Sequence, residues 1–170
     1  LNQALGAAVV GNHPGVMKIL IEHGADINHI SSWGTPLLIN AIMYGYSDSA
    51  KALINLGADL NVRGYKRYEH DIFVSWEWTP LMCAARQGDM DLIKLLIAKG
   101  ADINASGWSN SADDPETAAD IAAYSGHLNI LQYLLSLKAR LNESAICKAA
   151  RGGHINTIDF LLKQGIDINN

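Results

Sequence analysis

A five-residue motif recurs along this 170-residue chain and constrains its fold more than any other feature. It reads Gly-Ala-Asp-Ile/Leu-Asn at residues 24–28, 57–61 and 100–104, and drifted copies lie at 138–142 and 165–169. The first residues of successive copies are 33, 43, 38 and 27 positions apart. Self-similarity at a nearly fixed period of this size indicates a repeat protein, in which each copy belongs to one structural unit.

A second motif precedes the later copies and predicts the start of a helix. It reads Thr-Pro-Leu at 35–37 and 79–81, and it is weaker at 117–119 and 144–146. A Thr or Ser side chain can cap a helix by accepting a hydrogen bond from an orphan backbone N–H, and Pro fits the first helical position because it lacks a donor. In the third unit we predict a helix from Thr79 that ends at Gly88.

A second helix follows in each unit. In the third unit its apolar side chains recur with helical spacing, at Met90, Ile93, Leu95, Leu96 and Ile97. The glycine that opens the next motif can end such a helix in the left-handed conformation. Corresponding helices are predicted over residues 16–22, 49–55, 129–136 and 156–163. Each unit is therefore predicted to contain a helix, a turn, a second helix and a hairpin.

These motifs, in this order and spacing, resemble the ankyrin repeat over essentially the whole chain, and the first interval of 33 residues equals the ankyrin period. The resemblance implies an all-α repeat solenoid, an ankyrin-type stack of helix-turn-helix units with β-hairpin loops. We predict a single domain over residues 1–170 with about five repeats. Their approximate bounds are 1–28, 29–61, 62–104 with a hairpin insertion, 105–142 with a loop insertion, and 143–170.

The sequence departs from the family pattern in three places. The histidine that usually follows Thr-Pro-Leu, and that hydrogen-bonds between repeats, is replaced by Leu38, Met82, Asp120 and Cys147. The second unit has one extra residue between Thr35 and Gly45, which predicts a distorted first helix. Almost no hairpin remains between Asn142 and Ser144, so the last two repeats are expected to join through a direct turn.

The first insertion, residues 62–78, is the most individual segment. Its aromatic and basic side chains include Tyr65, Arg67, Tyr68, Trp76 and Trp78. Tyr, Trp and Arg are enriched at the energetic centres of protein interfaces, so we predict a finger that contacts a partner. The alternative is a long hairpin that folds its aromatic side chains against its own stack. Alternation over residues 72–76 favours an extended hairpin in either case.

The second insertion, residues 105–115, has the composition of a solvated loop. Trp108 is its one large aromatic side chain. It either anchors a partner or covers the neighbouring hairpin, and the sequence leaves both readings open.

The ankyrin resemblance also implies a concave recognition face made of hairpin tips and the exposed ends of the first helices. By position, the corresponding residues are Trp33, Met43, Tyr44, Trp76, Trp78, Arg86, Gln87, Asp114, Glu116, Tyr124 and Arg151. This set is aromatic and mixed in charge. It suits a protein or peptide partner better than a small polar metabolite, which needs a closed pocket.

The net charge and the two cysteines limit the ligands and the cellular compartment that we expect for this chain. A formal net charge of -4 gives no general attraction to nucleic acid, which we do not expect as a ligand. No apolar run reaches the roughly 18 to 20 residues that span a bilayer. Cys83 and Cys147 are predicted on helices of non-adjacent repeats, so no disulfide is expected. We predict a monomer in the cytoplasm or another reducing compartment, or in a host cytosol if the chain belongs to a bacterial effector.

The sequence contains no constellation that predicts catalysis, a metal site or a cofactor. His127 and His154 both follow a repeat glycine, which indicates a structural role. Residues 69–71 form the one dense Glu-His-Asp cluster, but adjacent residues of a strand point to opposite sides. We therefore predict a non-enzymatic protein-interaction module. The alternatives are an accessory segment that targets or positions a larger enzyme or bacterial effector, and a self-associating stack.

Overall fold

The computed structural model describes residues 1–32, 34–69, 72–108 and 115–165. In this part of the chain ten helices form five consecutive pairs, and we call the first helix of each pair inner and the second outer. The inner helices are α1 (Asn2–Val10), α3 (Leu37–Met43), α5 (Pro80–Gln87), α7 (Ala118–Tyr124) and α9 (Ala145–Arg151). The outer helices are α2 (Pro14–Glu22), α4 (Ser47–Asn55), α6 (Met90–Ala98), α8 (Leu128–Ser136) and α10 (Ile155–Lys163).

The inner helices stack on one another in chain order. Each contacts its own outer helix and the inner helix of the next pair, from α1 to α9. Ala84, Ala85, Ala122 and Ala123 are fully buried, and side chains of this size let neighbouring helices approach closely. The buried side chains form one elongated core that runs through all five pairs. The prediction of an all-α repeat stack is thus confirmed. None of the described helices has the length and apolar character needed to cross a bilayer.

Helix α1 is the first helix expected of the first repeat, but no start motif in the sequence marks it. It lacks a Thr-Pro start, and its N-cap residue Leu1 makes no side-chain capping bond. Its core side chains, Leu5, Ala8 and Val9, nevertheless recur with helical spacing and are buried. Burial of these side chains against the second helix pair therefore stabilises α1 without an N-cap hydrogen bond.

The Thr-Pro motif starts an inner helix in only one of its two full copies. Thr79 is the N-cap of α5, and its Oγ1 accepts a hydrogen bond from the Met82 amide at 3.4 Å. In the second unit, by contrast, Pro36 is the N-cap and makes no side-chain bond. The one extra residue of that unit moves Thr35 out of the capping position. The prediction that Thr35 caps its helix is therefore wrong.

Asp120 provides the hydrogen bond between repeats that the histidine of the ankyrin pattern would provide. Its Oδ2 accepts a hydrogen bond from the Thr117 amide at 2.9 Å, within its own repeat. Its Oδ1 accepts one from the Asn142 amide at 2.9 Å, in the connection to the next repeat. Because Asp120 is fully buried, both oxygens need these donors. A carboxylate thus supplies the inter-repeat hydrogen bond that replacement of the histidine had put in doubt.

The recurring asparagine forms a ladder of hydrogen bonds along the stack. Oδ1 of Asn28 accepts from the Asp59 amide at 2.9 Å, and Oδ1 of Asn61 accepts from the Asp102 amide at 3.0 Å. The same bond joins Asn104 to the Arg140 amide at 2.7 Å, and Asn2 to the Asp26 amide at 2.9 Å. The motif therefore joins the first four repeats to one another, although the insertions between them differ in length. The Asn2 bond is the same contact made within the first repeat.

The first insertion is an extended hairpin, as its alternation predicts. Strand β1 (Tyr65–Glu69) pairs antiparallel with β2 (Ile72–Trp76), and Tyr65 lies opposite Trp76. Its base is tied to the second insertion, in which β3 (Ser106–Gly107) pairs with β4 (Glu116–Thr117). The Glu77 amide donates to the Trp108 carbonyl at 2.9 Å, and Arg63 Nη1 donates to the Ser106 carbonyl at 2.6 Å.

The ridge of hairpins ends after the fourth repeat. Pro115 lies two residues before the capping threonine of its repeat, the position that Glu77 occupies in the third repeat. It has no N–H to offer a further hairpin, and its carbonyl accepts from Asn142 Nδ2 at 2.7 Å. The Pro115 carbonyl thus has a hydrogen-bond partner, although no further hairpin pairs with this edge.

We expect replacement of one rung of the asparagine ladder to loosen the stack. Asn61→Ala leaves the Asp102 amide without its acceptor, which should lower the free energy of unfolding by about 0.5–1.5 kcal/mol in urea titrations. Asn55→Ala is the matched control, because Asn55 is exposed at the end of α4. Equal free energies of unfolding for the two variants would contradict a stabilising role of the asparagine ladder.

The two free cysteines should differ sharply in reactivity. Cys147 is exposed, whereas Cys83 is buried in α5 and burial raises the pKa of its thiol to about 12. Since the thiolate is the reactive species, a thiol reagent at pH 8 should label Cys147 alone in the folded protein and both cysteines in denaturant. Mass spectrometry of the labelled chain measures this. Rapid labelling of Cys83 under native conditions would show that the inner stack opens.

Candidate functional site

The carboxyl ends of the inner helices lie side by side and form an exposed row. We call this row, made of Met43, Tyr44, Arg86, Gln87, Tyr124 and Arg151, the inner-helix edge. Tyr44 is 53% exposed and Tyr124 is 42% exposed, although both follow largely buried helical turns. Arg86, Gln87 and Arg151 are also exposed, and Met43 is half-buried. The structure therefore brings together six of the positions that the resemblance assigned to the recognition face.

Hydrogen bonds between repeats fix the spacing of this edge. Gln87 Nε2 donates to the Met43 carbonyl at 2.9 Å. His127 Nε2 lies 3.1 Å from the Arg86 carbonyl, which can only accept, so the ring donates through this nitrogen. In the fifth repeat Gly152 packs directly against the Tyr124 carbonyl, where a Cβ would not fit. The exposed side chains thus project from backbone that neighbouring repeats hold in place.

Aromatic and cationic groups on the edge are ordered by their neighbours. The rings of Tyr44 and Tyr46 stack with centroids 6.1 Å apart. The guanidinium carbon of Arg86 lies 5.2 Å from the centre of the Trp78 ring, a cation–π geometry. Side chains held in this way lose little conformational entropy when a partner binds.

Trp78 is a core residue and does not belong to the contact surface that the sequence suggested. It is only 5% exposed and joins the continuous core. The physical reason is its position directly before Thr79, the N-cap of α5, where the chain turns from the hairpin into the buried stack. Its contribution to the edge is indirect, because its ring supports Arg86.

Glu116 is likewise buried instead of available to a partner. Its Oε1 lies 3.8 Å from Lys148 Nζ, and both side chains are about nine-tenths buried. Glu116 occupies β4 immediately before the N-cap of α7, so the turn that buries Trp78 in the third repeat buries Glu116 in the fourth. This ion pair joins the fourth and fifth repeats where the hairpin is missing.

Trp108 stays half-exposed, at 47%, on the hairpin ridge. Its carbonyl accepts the Glu77 amide, so its backbone lies against the neighbouring insertion while much of its ring faces solvent. Gly107 makes this approach possible, because a Cβ there would collide with the Glu77 carbonyl. The backbone of Trp108 thus lies against the neighbouring hairpin, and the role of its ring as an anchor for a partner stays a prediction.

The other predicted contact residues lie on the extended hairpin or outside the described residues. Trp33 and Asp114 lie outside the described residues. For Tyr65, Arg67, Tyr68 and Trp76 the structure describes the backbone of β1 and β2, which places them on the extended hairpin. Whether this finger contacts a partner or packs on its own stack stays open.

A groove beside the first inner helix was missed by the sequence reasoning. Its cavity of about 770 Å³ lies between α1 and the loop before α3, and exposed apolar side chains of Val10 and Ile30 line it. Recognition of the Leu5, Ala8 and Val9 spacing as a helix would have pointed to it. The groove continues the inner-helix edge toward the first repeat.

No group of three or more His, Cys, Asp or Glu side chains within the described residues has a metal-binding arrangement. His127 and His154, the most regularly placed histidines, are the N-caps of α8 and α10. Their rings pack against Gly88 and Gly126 of the preceding repeats.

Trp78 is buried in the core whereas Trp108 is half-exposed, and substitution of each tryptophan tests this difference. Trp78→Ala should lower the free energy of unfolding by about 3–5 kcal/mol, because it opens a cavity in the core. Trp108→Ala should lower it by less than about 1 kcal/mol, since half of that ring is already in water. Urea unfolding followed by circular dichroism measures both. Equal losses would place Trp78 on the surface and overturn the assignment.

Comparison with known proteins supports the fold. A search of curated proteins finds no match. The family described as ankyrin repeats, three copies, matches residues 2–64, 65–143 and 107–170, which together span nearly the whole chain. The stacked helix pairs, the asparagine ladder and this match agree, and the chain belongs to the ankyrin-repeat family.

Proposed function

We propose that this chain binds a protein or peptide partner across the inner-helix edge, with Tyr44, Arg86, Gln87, Tyr124 and Arg151 as its contacts. Ankyrin repeats are in general protein-interaction modules. The observation that carries the proposal is the row of exposed aromatic and polar side chains on successive repeats. Each projects from a helix end that its neighbour fixes by packing or by a hydrogen bond.

The composition of the edge suits a macromolecular partner. Tyr and Arg are enriched at binding hot spots, since they offer broad contact area together with hydrogen-bonding groups. Two tyrosines and two arginines alternate along the edge, separated by whole repeats. A ligand must therefore extend over several repeats to use them together, as a folded surface or an extended peptide does and a small metabolite does not.

The hairpin ridge supplies a second contact region in this proposal. Trp108 stands half-exposed beside the base of the finger formed by β1 and β2. The backbone bonds between the two insertions couple them, so the finger projects from a braced base. We assign the chain no catalytic role, because its regularly placed titratable side chains are used in capping and packing.

Replacing the two tyrosines of the edge tests the proposal. A partner is first captured on the immobilised chain, identified by mass spectrometry and purified. Tyr44→Ala combined with Tyr124→Ala should then raise its Kd at least about fivefold, a loss of more than about 1 kcal/mol, because both rings contribute contact area.

The control variant is Leu137→Ala, which removes a side chain of the same 42% exposure as Tyr124 from the end of α8. It should leave the Kd unchanged. An unchanged Kd in the tyrosine variant, or an equal rise in the control, would remove the inner-helix edge from the binding site.

A further inference from the structure

At junctions between repeats, the N-cap residue of an outer helix can pack against the left-handed glycine that follows the inner helix of the preceding repeat. At two of these junctions the N-cap is a histidine whose ring covers a glycine, with His127 over Gly88 and His154 over Gly126. A Cβ added to Gly88 would lie 2.6 Å from Cε1 of His127. A planar ring therefore fills the space between these repeats.

The junction between the second and third repeats is built differently. Its N-cap is Asp89, which is shorter than histidine, and no atom lies within 4 Å of a Cβ built on Gly45. Gly45 has the same left-handed backbone as Gly88, with φ of 74° against 79°. A cavity of about 200 Å³ takes the place of the ring, and its wall includes Ile42, Gly45, Ser47, Gln87 and Asp89. We call this cavity the Asp89 slot.

The hydrogen bond that accompanies the ring is also replaced at this junction. Where His127 donates to the Arg86 carbonyl, the equivalent Met43 carbonyl receives Gln87 Nε2 at 2.9 Å. The stack therefore keeps its inter-repeat bond without a ring. Gln87 makes the hydrogen bond and Asp89 takes the N-cap position, so these two residues replace one histidine. The space that an imidazole ring would fill is left as a cavity on the inner-helix edge.

The charges around the slot favour a cation. Oδ1 of Asp89 accepts the Leu92 amide at 2.9 Å as a helix cap, and among the described residues no hydrogen bond is found for its Oδ2. Asp89 is the one charged side chain among the residues that line the slot. The N-terminus of α6 adds only about half a positive charge, so the full negative charge of Asp89 prevails. The nearest arginine, Arg86, is held over Trp78.

We propose that the Asp89 slot binds the guanidinium group of an arginine side chain from a partner. A cavity of this size accommodates one side chain and not a drug-sized ligand. A guanidinium is planar like the imidazoles that fill the equivalent spaces, and its N–H groups match a carboxylate better than the compact ammonium of lysine does. That the arginine comes from a bound protein rests on the proposed function, whereas guanidinium binding itself does not.

The slot can be tested without any partner. The probe is N-acetyl-arginine amide, titrated into the ¹⁵N-labelled chain, with N-acetyl-lysine amide as the comparison. Amide signals of Gly45, Asp89 and Leu92 should shift saturably with the arginine probe, and the lysine probe should bind several-fold more weakly. Asp89→Asn keeps a good helix cap but removes the charge, so it should weaken binding about tenfold.

Two further variants make the result decisive. Asp89→His should place a ring in the slot, as in the next two repeats, and abolish the saturable shifts. Asp91→Asn removes a carboxylate that does not line the cavity and should change affinity less than twofold. Absence of saturable shifts in the unmodified chain overturns the proposal, and so does equal weakening by Asp91→Asn and Asp89→Asn. Either failure leaves the tyrosine test of the inner-helix edge untouched, so the two proposals stand or fall separately.

Discussion

A single helix pair of this chain cannot bury its apolar face, and the contact between successive pairs supplies what each pair lacks. Buried alanines bring the inner helices close together, and the apolar side chains of both helix layers form one core along the stack. Each unit therefore depends on its neighbours for stability, as expected of a quasi-one-dimensional protein. Insertions between units are tolerated because they lie in the hairpin connections, outside this core.

The polar bonds between repeats give the stack its register. The recurring asparagine accepts a backbone amide of the next repeat at three successive junctions, although the repeats differ in length. At the last junction Asp120 and the Glu116–Lys148 pair add bonds where the hairpin is missing. These bonds also align the carboxyl ends of the inner helices, so the same contacts that hold the fold position the candidate binding surface.

Local differences between repeats give this surface its individual character. Histidine caps close two junctions with planar rings, whereas Gln87 and Asp89 leave the Asp89 slot at a third. The Asp89 slot lies beside Tyr44, so an aromatic ring and a carboxylate are available on one stretch of the edge. A partner that places an arginine next to an apolar or aromatic side chain would match both.

The sequence by itself determined the repeat period, the helix pairs and the asparagine turns, because these follow from local spacing and capping chemistry. The ankyrin resemblance implied that Tyr44, Gln87 and Tyr124 lie on an exposed face, and all three side chains are exposed. Only the tertiary structure decided that Trp78 and Glu116 are buried, that Thr35 does not cap its helix, and that a cavity lies at Asp89. The burial of Trp78 and Glu116 and the cavity at Asp89 depend on the distance between two repeats, which a pattern read along one chain does not contain. The cap of α3 depends on the residue at which that helix starts, and the Thr-Pro motif alone does not fix it.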